Sequence, residues 1–505
     1  MLSVFESPAA PPPPDAFNLA AYVLAQADHV PDKTALAIVS ASRANRWRYG
    51  AVAQAVAGIA GGLLAQGCSP GDRVLLRLGN TAAFPFAYLG AIWAGLIPVP
   101  TSSGLTEEEI TAISAQLRPS LILAGDGIAL PQGSDARVLE EADLMGLADH
   151  PPVAPVLGDP ERPAYIIFTS GTSGQPRGVV HAHRAIWARR MMWDGWYGLT
   201  AQDRLMHAGA FNWTYTLGTG LMDPWTMGAT ALIPAPGLSS TQLPLLAERH
   251  QATIFAAAPG VYRQMLRAKL PPMPKLRHGL SAGEALPPAL RNQWQQATGT
   301  DLHEALGMSE CSTFVSGAPG APAPAGTSGR PQLGRTIAVL DSDGSPVPRG
   351  APGVLSIHRS DPGLMLGYLD ADAETNSRYA GDWFQTGDTV SLSEQDHITY
   401  LGRSDDMINA GGFRVSPLEV EGQALSFAGL RAAAAVEREV RRDVTVLALH
   451  YVGDQIDEAA LEAHLATRLA PYKRPRMLIR EDALPLAGNG KINRKALRRR
   501  PAARP

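Results

Sequence analysis

Over its first four hundred residues the chain alternates short strand-like runs with helix-like ones, and this alternation narrows the folds open to it. Ala35 to Val39, Arg73 to Leu78, Ile97 to Pro100, Ser120 to Ala124 and Tyr165 to Phe168 read as strands. Helical stretches separate several of them, including one near His183. Strands joined through helices pair in parallel and cover both sheet faces, so an α/β architecture is expected. Ala82 to Pro100 carries no charge and is long enough to raise the question of a membrane span. Pro85 and Pro98 bracket its middle, and it reads as a buried helix leading into a strand.

Pro- and Gly-rich stretches interrupt the pattern at 151–160 and 318–331. After the second come short strands with turn signals, such as Ile337 to Asp341 before Asp343-Gly344, and Gly353 to His358. This reads as a small β-barrel or sheet appended to the main domain, over about 331–402. The polar run Gly402-Arg403-Ser404-Asp405-Asp406 marks a boundary, giving a large N-terminal domain (1–403) and a small mobile α+β domain (404–505). The small domain should hold a helix with Glu419 and Glu421, strands near 432–436 and 444–451, and a helix over 458–469.

Tyr165 to Phe168 leads directly into Thr169-Ser170-Gly171-Thr172-Ser173-Gly174-Gln175-Pro176-Arg177-Gly178. Small residues let successive backbone N–H groups converge into an anion-binding nest. Hydroxyls add donors, and Arg177 adds a cation suited to phosphate. The loop is neither a Walker A sequence nor a G-x-G-x-x-G turn. A polyphosphate is the simplest ligand; a Gly/Ser linker is the alternative, though linkers are not normally launched from a buried strand.

A hydrophobic fraction of 45% and a charged fraction of 18% over 505 residues suit a globular protein with a large core. A net charge of −3 gives no reason to expect nucleic acid. Cys68 and Cys311 are the only cysteines, which predicts no disulfide framework and a cytoplasmic location. The Pro-rich N-terminus does not read as a signal peptide, and Arg498 to Arg500 reads as a solvated basic end.

Four further motifs lie far apart. They are Ser281-Ala282-Gly283-Glu284, Glu304-Ala305-Leu306-Gly307-Met308-Ser309-Glu310, Trp383-Phe384-Gln385-Thr386-Gly387-Asp388 and Gly488-Asn489-Gly490-Lys491-Ile492-Asn493-Arg494. With the Thr/Ser/Gly loop and the Gly-Arg-Ser-Asp-Asp run, they resemble the adenylate-forming superfamily, in that family's order and over about residues 20–498. The resemblance implies ATP, Mg²⁺ and coenzyme A as co-substrates. Residues 169–178 would wrap the β- and γ-phosphates through Thr169, Ser170, Gly171, Thr172, Ser173, Gly174 and Arg177, with Arg where Lys is usual. Glu310, with Thr169, would hold Mg²⁺. Gly283, Glu284 and Ala285 would wall the adenine site together with Glu304, Ala305, Leu306, Gly307, Met308 and Ser309. Asp388 would accept from the ribose, and Arg403 would touch ribose or phosphate. Asp405 would be the hinge, and Lys491 the catalytic cation at the reacting phosphorus.

The wording of Gly411-Gly412-Phe413-Arg414 and the following Ser-Pro-Leu-Glu-Val-Glu resembles aryl- and medium-chain acyl-CoA ligases, implying a pantetheine-binding loop. The expected reaction is ATP-dependent ligation of a carboxylic acid to CoA through an acyl adenylate. The alternatives are a free-standing adenylating enzyme that loads a carrier protein and a non-catalytic nucleotide sensor. The acid pocket is expected at Phe211 to Leu217, with Phe211, Trp213 and Tyr215, together with Ala282, Leu306 and Gly307. No Arg, Lys or Asp occurs in 211–217, so the pocket reads as apolar and aromatic and suits a benzoate-like acid. Trp213 and Tyr215 could equally be core aromatics. His181, His183 and His207 lack metal-ligand spacing and read as structural or pocket-edge residues, and Cys311 reads as a spectator. A monomer or homodimer without nucleic-acid or membrane partners is expected.

Overall fold

The computed structural model describes residues 1–170, 176–404, 408–410, 413–441, 444–469, 473–486 and 492–499. The chain divides into two compact units, one made of Phe5–Ile337 with Ile357–Phe384, the other of Met1–Val4, Ala338–Ser356 and Gln385–Pro505.

The first unit is organised around a nine-stranded sheet. Its central strands are Asp301–Met308, His278–Ala282, Ile254–Ala257, Arg204–His207, Thr230–Pro234 and Thr34–Val39, all parallel to their neighbours. Ile254–Ala257 and His278–Ala282 are buried at every position, as strands covered on both faces must be. Antiparallel strands at Ser312–Ser316 and Ala44–Arg48 flank this parallel core. A second parallel sheet, Ile97–Pro100, Arg73–Arg77, Leu121–Ala124 and Arg137–Glu140, carries the uncharged segment. There Ala83–Trp93 is a helix buried along its length except at Trp93, in one apolar cluster with Tyr49–Ala65. Its apolar residues thus face protein, and no helix among the described residues is long and apolar enough to cross a membrane.

One sequence expectation changes and another narrows. Tyr165 to Phe168 does not run through its loop into a helix. Pro163–Ser170 and Pro176–Ala182 form an antiparallel hairpin around the loop, and the helix Ala185–Ala188 has only four residues. Val179, Val180 and His181 extend the second strand, where β-branched side chains suit the pleat. Of the barrel or sheet expected over 331–402, the structure shows the sheet, which does not close. Its strands give an open sheet in the order Val4–Phe5, Ile337–Leu340, Pro352–His358 and Trp383–Leu392, with Tyr379–Ala380 and Ile398–Arg403 both pairing with the last. Val4–Phe5 and Tyr379–Ala380 are two residues long and offer too short a ladder to seal a ring.

In the second unit, Leu430–Arg441, Val444–Gly453 and Met477–Arg480 form a three-stranded sheet. Helices Pro417–Leu425 and Glu458–Ala466 contribute Val420, Ala424, Leu461 and Leu465 to its core. Ser416 caps the first of them by accepting the Glu419 N–H at 3.3 Å.

Candidate active site

The parallel strands of the nine-stranded sheet end on one side in the expected motifs, where open α/β sheets bind ligands. His207 precedes the Phe211 segment, Ala282 precedes Gly283, and the strand Asp301–Met308 carries Glu304 to Met308. Ala282 and Ala305 face each other in register.

Gly283 follows its strand at φ +92°, and a Cβ there would lie 2.6 Å from Cζ2 of Trp213. Glycine therefore lets the turn bend and the indole close over it. The expected nucleotide wall and the expected acid pocket meet at this contact. Glu284 is half-buried and Ala285 exposed. Glu304 is buried, and its carboxylate accepts the Leu286 N–H at 3.1 Å. Arg291 stands off at 3.5 Å, so burial dominates and pushes the carboxyl up to about 7.

Leu306 to Glu310 are half-buried along the hairpin between Asp301–Met308 and Ser312–Ser316. Its register shifts between Leu306 and Gly307, and a Cβ at Gly307 would meet the Ser312 carbonyl oxygen at 2.3 Å. Glu310 thus sits on a tight turn that requires a residue without a side chain at 307.

Thr169 pairs with Arg177, and Ser170 with Pro176, across the loop hairpin. Gly171, Thr172, Ser173 and Gly174 lie outside the described residues. The Arg177 guanidinium is ion-paired with Glu374 and lies over the Tyr368 ring, 5.6 Å from its centroid. The Tyr368 hydroxyl donates to Glu310 Oε1 at 2.8 Å. Gly367–Tyr368 pairs antiparallel with Val179–Val180, so one short strand joins the loop hairpin to Glu310. Tyr368 and Glu374 were missed in the sequence, where nothing but spacing from the loop surrounds them. The donors expected for a divalent cation are the hard oxygens of Glu310 and Thr169, and no group of three metal-ligating side chains occurs among the described residues. One carboxylate plus a hydroxyl fits Mg²⁺, which shares its ligands with substrate phosphates and water.

Of the pocket aromatics, Phe211 is fully buried and stacks on Phe84 at 5.4 Å. Tyr215 is also core: its hydroxyl donates to the Leu280 carbonyl at 3.0 Å, and its ring packs between Trp196 and His207. Trp213 is half-buried and meets Tyr215 edge-on at 5.1 Å. Folding adds charges that residues 211–217 lack. Arg189 and Asp223 form a buried ion pair, with Nε 2.9 Å from Oδ1 and Nη2 2.6 Å from Oδ2. The Tyr197 hydroxyl donates to the same carboxylate at 2.7 Å. A cavity of about 20 Å³ lies against Arg189, His181, Thr214, Leu217, Ser309 and Ser312.

His183 Nδ1 accepts the Leu19 N–H at 3.0 Å, and His207 Nδ1 that of Gly209 at 3.0 Å; both rings are buried. Cys68 and Cys311 are free and buried.

The other compact unit holds a second set. Asp388 and Arg403 are register partners, with Oδ1 and Nη1 3.2 Å apart. Tyr400 donates to the same oxygen at 3.3 Å, and Arg403 donates to the Thr386 carbonyl at 3.0 Å. Burial still raises the Asp388 carboxyl above its ordinary range, against the pull of Arg403. Phe413 and Arg414 lie on the short strand Phe413–Val415, paired with Ile408–Ala410. Asp405, Gly411, Gly412 and Lys491 lie outside the described residues.

A family model described as AMP-binding enzyme matches residues 23–369. The chain belongs to the AMP-binding enzyme family. The benzoate–CoA ligase of Thauera aromatica is 31% identical over 473 residues, covering 86% of each chain. The 3-hydroxybenzoate–CoA ligase of Aromatoleum sp. (strain CIB) is 28% identical, over 89% of this chain and 91% of that one. The solved structure of a benzoate CoA ligase from Burkholderia xenovorans LB400 superposes with a TM-score of 0.85 at 27% identity, covering 95% of this chain and all of that one. As an AMP-binding enzyme of this kind, the chain is an AMP-forming acid–thiol ligase with ATP, CoA and a small carboxylic acid as its substrates.

Proposed function

We propose that this ligase joins a compact aromatic acid to coenzyme A in two steps. The carboxylate attacks the α-phosphorus of ATP, forming the acyl–phosphate bond as pyrophosphate leaves. The CoA sulfur then attacks the acyl carbon, and AMP leaves with the bonding pair. The extent of likeness to the Thauera benzoate–CoA ligase carries this reading, and the half-buried Trp213, edge-on to Tyr215, supports it.

Each residue has a physical task. The Thr169 hairpin cradles the leaving pyrophosphate, and Arg177 swings from Glu374 to phosphate when ATP enters. Glu310 and Thr169 offer oxygens to Mg²⁺, which neutralises phosphate charge when bound. Gly283 to Ala285 and Glu304 to Ser309 form the adenine wall, and Asp388 with Arg403 receives the ribose. Lys491 stabilises charge on the reacting phosphoryl group. Residues 404–505 act as a lid turning about Asp405, bringing Gly411 to Arg414 to the pantetheine between steps. The two free thiols fit a reducing cytoplasm.

Pyrophosphate release should be screened across benzoates, phenylacrylates and C2–C10 fatty acids, with the thioester identified by mass spectrometry. Activity confined to acetate or long-chain acids would sink the aromatic assignment. Pyrophosphate release without a CoA thioester would mark a carrier-loading enzyme instead. Lys491→Ala should abolish adenylate formation yet spare thioester formation from supplied acyl-AMP; equal loss of both would remove Lys491 from its role.

A further inference from the structure

The cavity beside the acid pocket contains an unmet hydrogen-bonding demand. His181 is buried, and its Nε2 lies 2.7 Å from the Ser309 carbonyl oxygen. A carbonyl only accepts, so Nε2 carries the ring proton and donates. Burial holds the ring neutral, so Nδ1 keeps a lone pair, and this nitrogen has no partner. Buried polar atoms are otherwise almost always satisfied, and His181 lines the cavity. Across it, the Ser312 hydroxyl accepts from Arg189 Nη1, which leaves the serine proton free to donate. Thr214 adds a half-buried hydroxyl from the expected acid-pocket segment.

The niche is polar without net charge. Arg189 spends Nε and Nη2 on Asp223, so it offers no free cation to a second carboxylate. Its volume of about 20 Å³ compares with the roughly 10–15 Å³ that one water needs. It therefore has room for one small group, able to donate to Nδ1 and accept from Ser312. A hydroxyl or an amine does both; a fluorine, methyl or methoxy group does not donate.

We propose that His181 and Ser312 form a specificity niche for a hydroxyl or amino substituent on the aromatic acid, making the preferred substrate class a hydroxy- or aminoaryl carboxylate rather than the unsubstituted ring. This rests on the aromatic-acid ligase reading and sharpens it. His181 is the acceptor, Ser312 the donor, and Asp223 the group that cancels the charge of Arg189.

The test compares kcat/KM for benzoate with the three ring positions of hydroxy-, amino-, fluoro- and methoxybenzoate, following pyrophosphate and acyl-CoA. At least one hydroxy or amino isomer should exceed benzoate tenfold or more, with its fluoro and methoxy counterparts near or below benzoate. In His181→Phe, the ratio of that isomer to benzoate should collapse toward one. Equal use of benzoate and every hydroxy and amino isomer overturns the niche while leaving the ligase reading intact. A hydroxyl preference that survives in His181→Phe overturns the role of His181. Failure of every aryl acid to release pyrophosphate overturns both. The wild-type series decides the hydroxy or amino preference even if that variant does not fold, and Ser312→Ala, in which the ratio should also fall toward one, then tests the niche residues.

Discussion

Glu304 holds its carboxyl in a buried site where one backbone N–H and a distant Arg291 do not compensate for lost water. Its carboxyl titrates at about 7 instead of 4.5, so the folded protein holds this proton more tightly than the unfolded chain. The resulting stability is present in full below about pH 4.5 and is lost as the pH rises through about 7. It amounts to about 3 kcal/mol at most. Glu304→Gln keeps an acceptor for Leu286 and has nothing to titrate, so its Tm should gain on the parent between pH 5 and 8. A constant Tm difference across that range counts against the buried proton. Arg177 poses a different problem, because its charge is already spent on Glu374. Glu374→Gln should lower the KM for ATP several-fold by releasing it. Arg177→Ala should raise that KM about tenfold, the order of one charge-assisted contact, and leave thioester formation from supplied acyl-AMP unchanged.

A tight turn limits what its strands can carry. Gly307 packs its α-carbon against the backbone of Ser312, and Ser312 itself sits at φ +64°. Gly307→Ala must push the hairpin that presents Glu310, at a cost of about 1–3 kcal/mol. Lower stability in thermal unfolding should accompany lower adenylation; a variant of parental stability would show that the hairpin yields freely. In the small α+β part, the described residues on either side of 487–491 pair with each other. Leu486 bridges Ile492, and Asn493 donates to the Pro485 carbonyl at 2.8 Å. Arg494 binds both oxygens of the buried Glu421 carboxylate at 2.7 and 2.8 Å. Arg494→Ala should free the residues that follow Lys491 from Glu421 and slow adenylation at least tenfold, with a much smaller effect on the thioester step. Equal effects on both would show that Arg494 supports only the fold.

Across the molecule, the chain passes between the two compact units four times, at 4/5, 337/338, 356/357 and 384/385. The expected phosphate, metal and acid residues fall in one unit, and Asp388, Arg403 and the segment after Asp405 in the other. The proposed hinge at Asp405 falls within the latter unit, and turning there between the two half-reactions is part of the proposed function. Asp405→Pro, which fixes φ, should therefore impair one half-reaction more than tenfold and leave the other near parental rate; equal rates would argue against rotation there. The alternation of strands and helices, the Gly/Ser/Thr loop and six motifs in order were legible in the sequence. Each is local: a glycine where backbone must turn or approach, an apolar run where a strand is covered on both faces. These features established the α/β class and the ligase chemistry. The hairpin at Pro163–Ala182 and the polar niche were not legible, and over 331–402 the sequence left barrel and sheet both open. Arg189 meets Asp223 across 34 residues and Ser312 across 123, and Tyr368 reaches Glu310 across 58. Such partners are chosen by packing, since a buried charge or an unpaired acceptor is defined by its neighbours in space. The apolar look of residues 211–217 was true of the segment, and tertiary contacts placed an ion pair and an unpaired histidine nitrogen beside it.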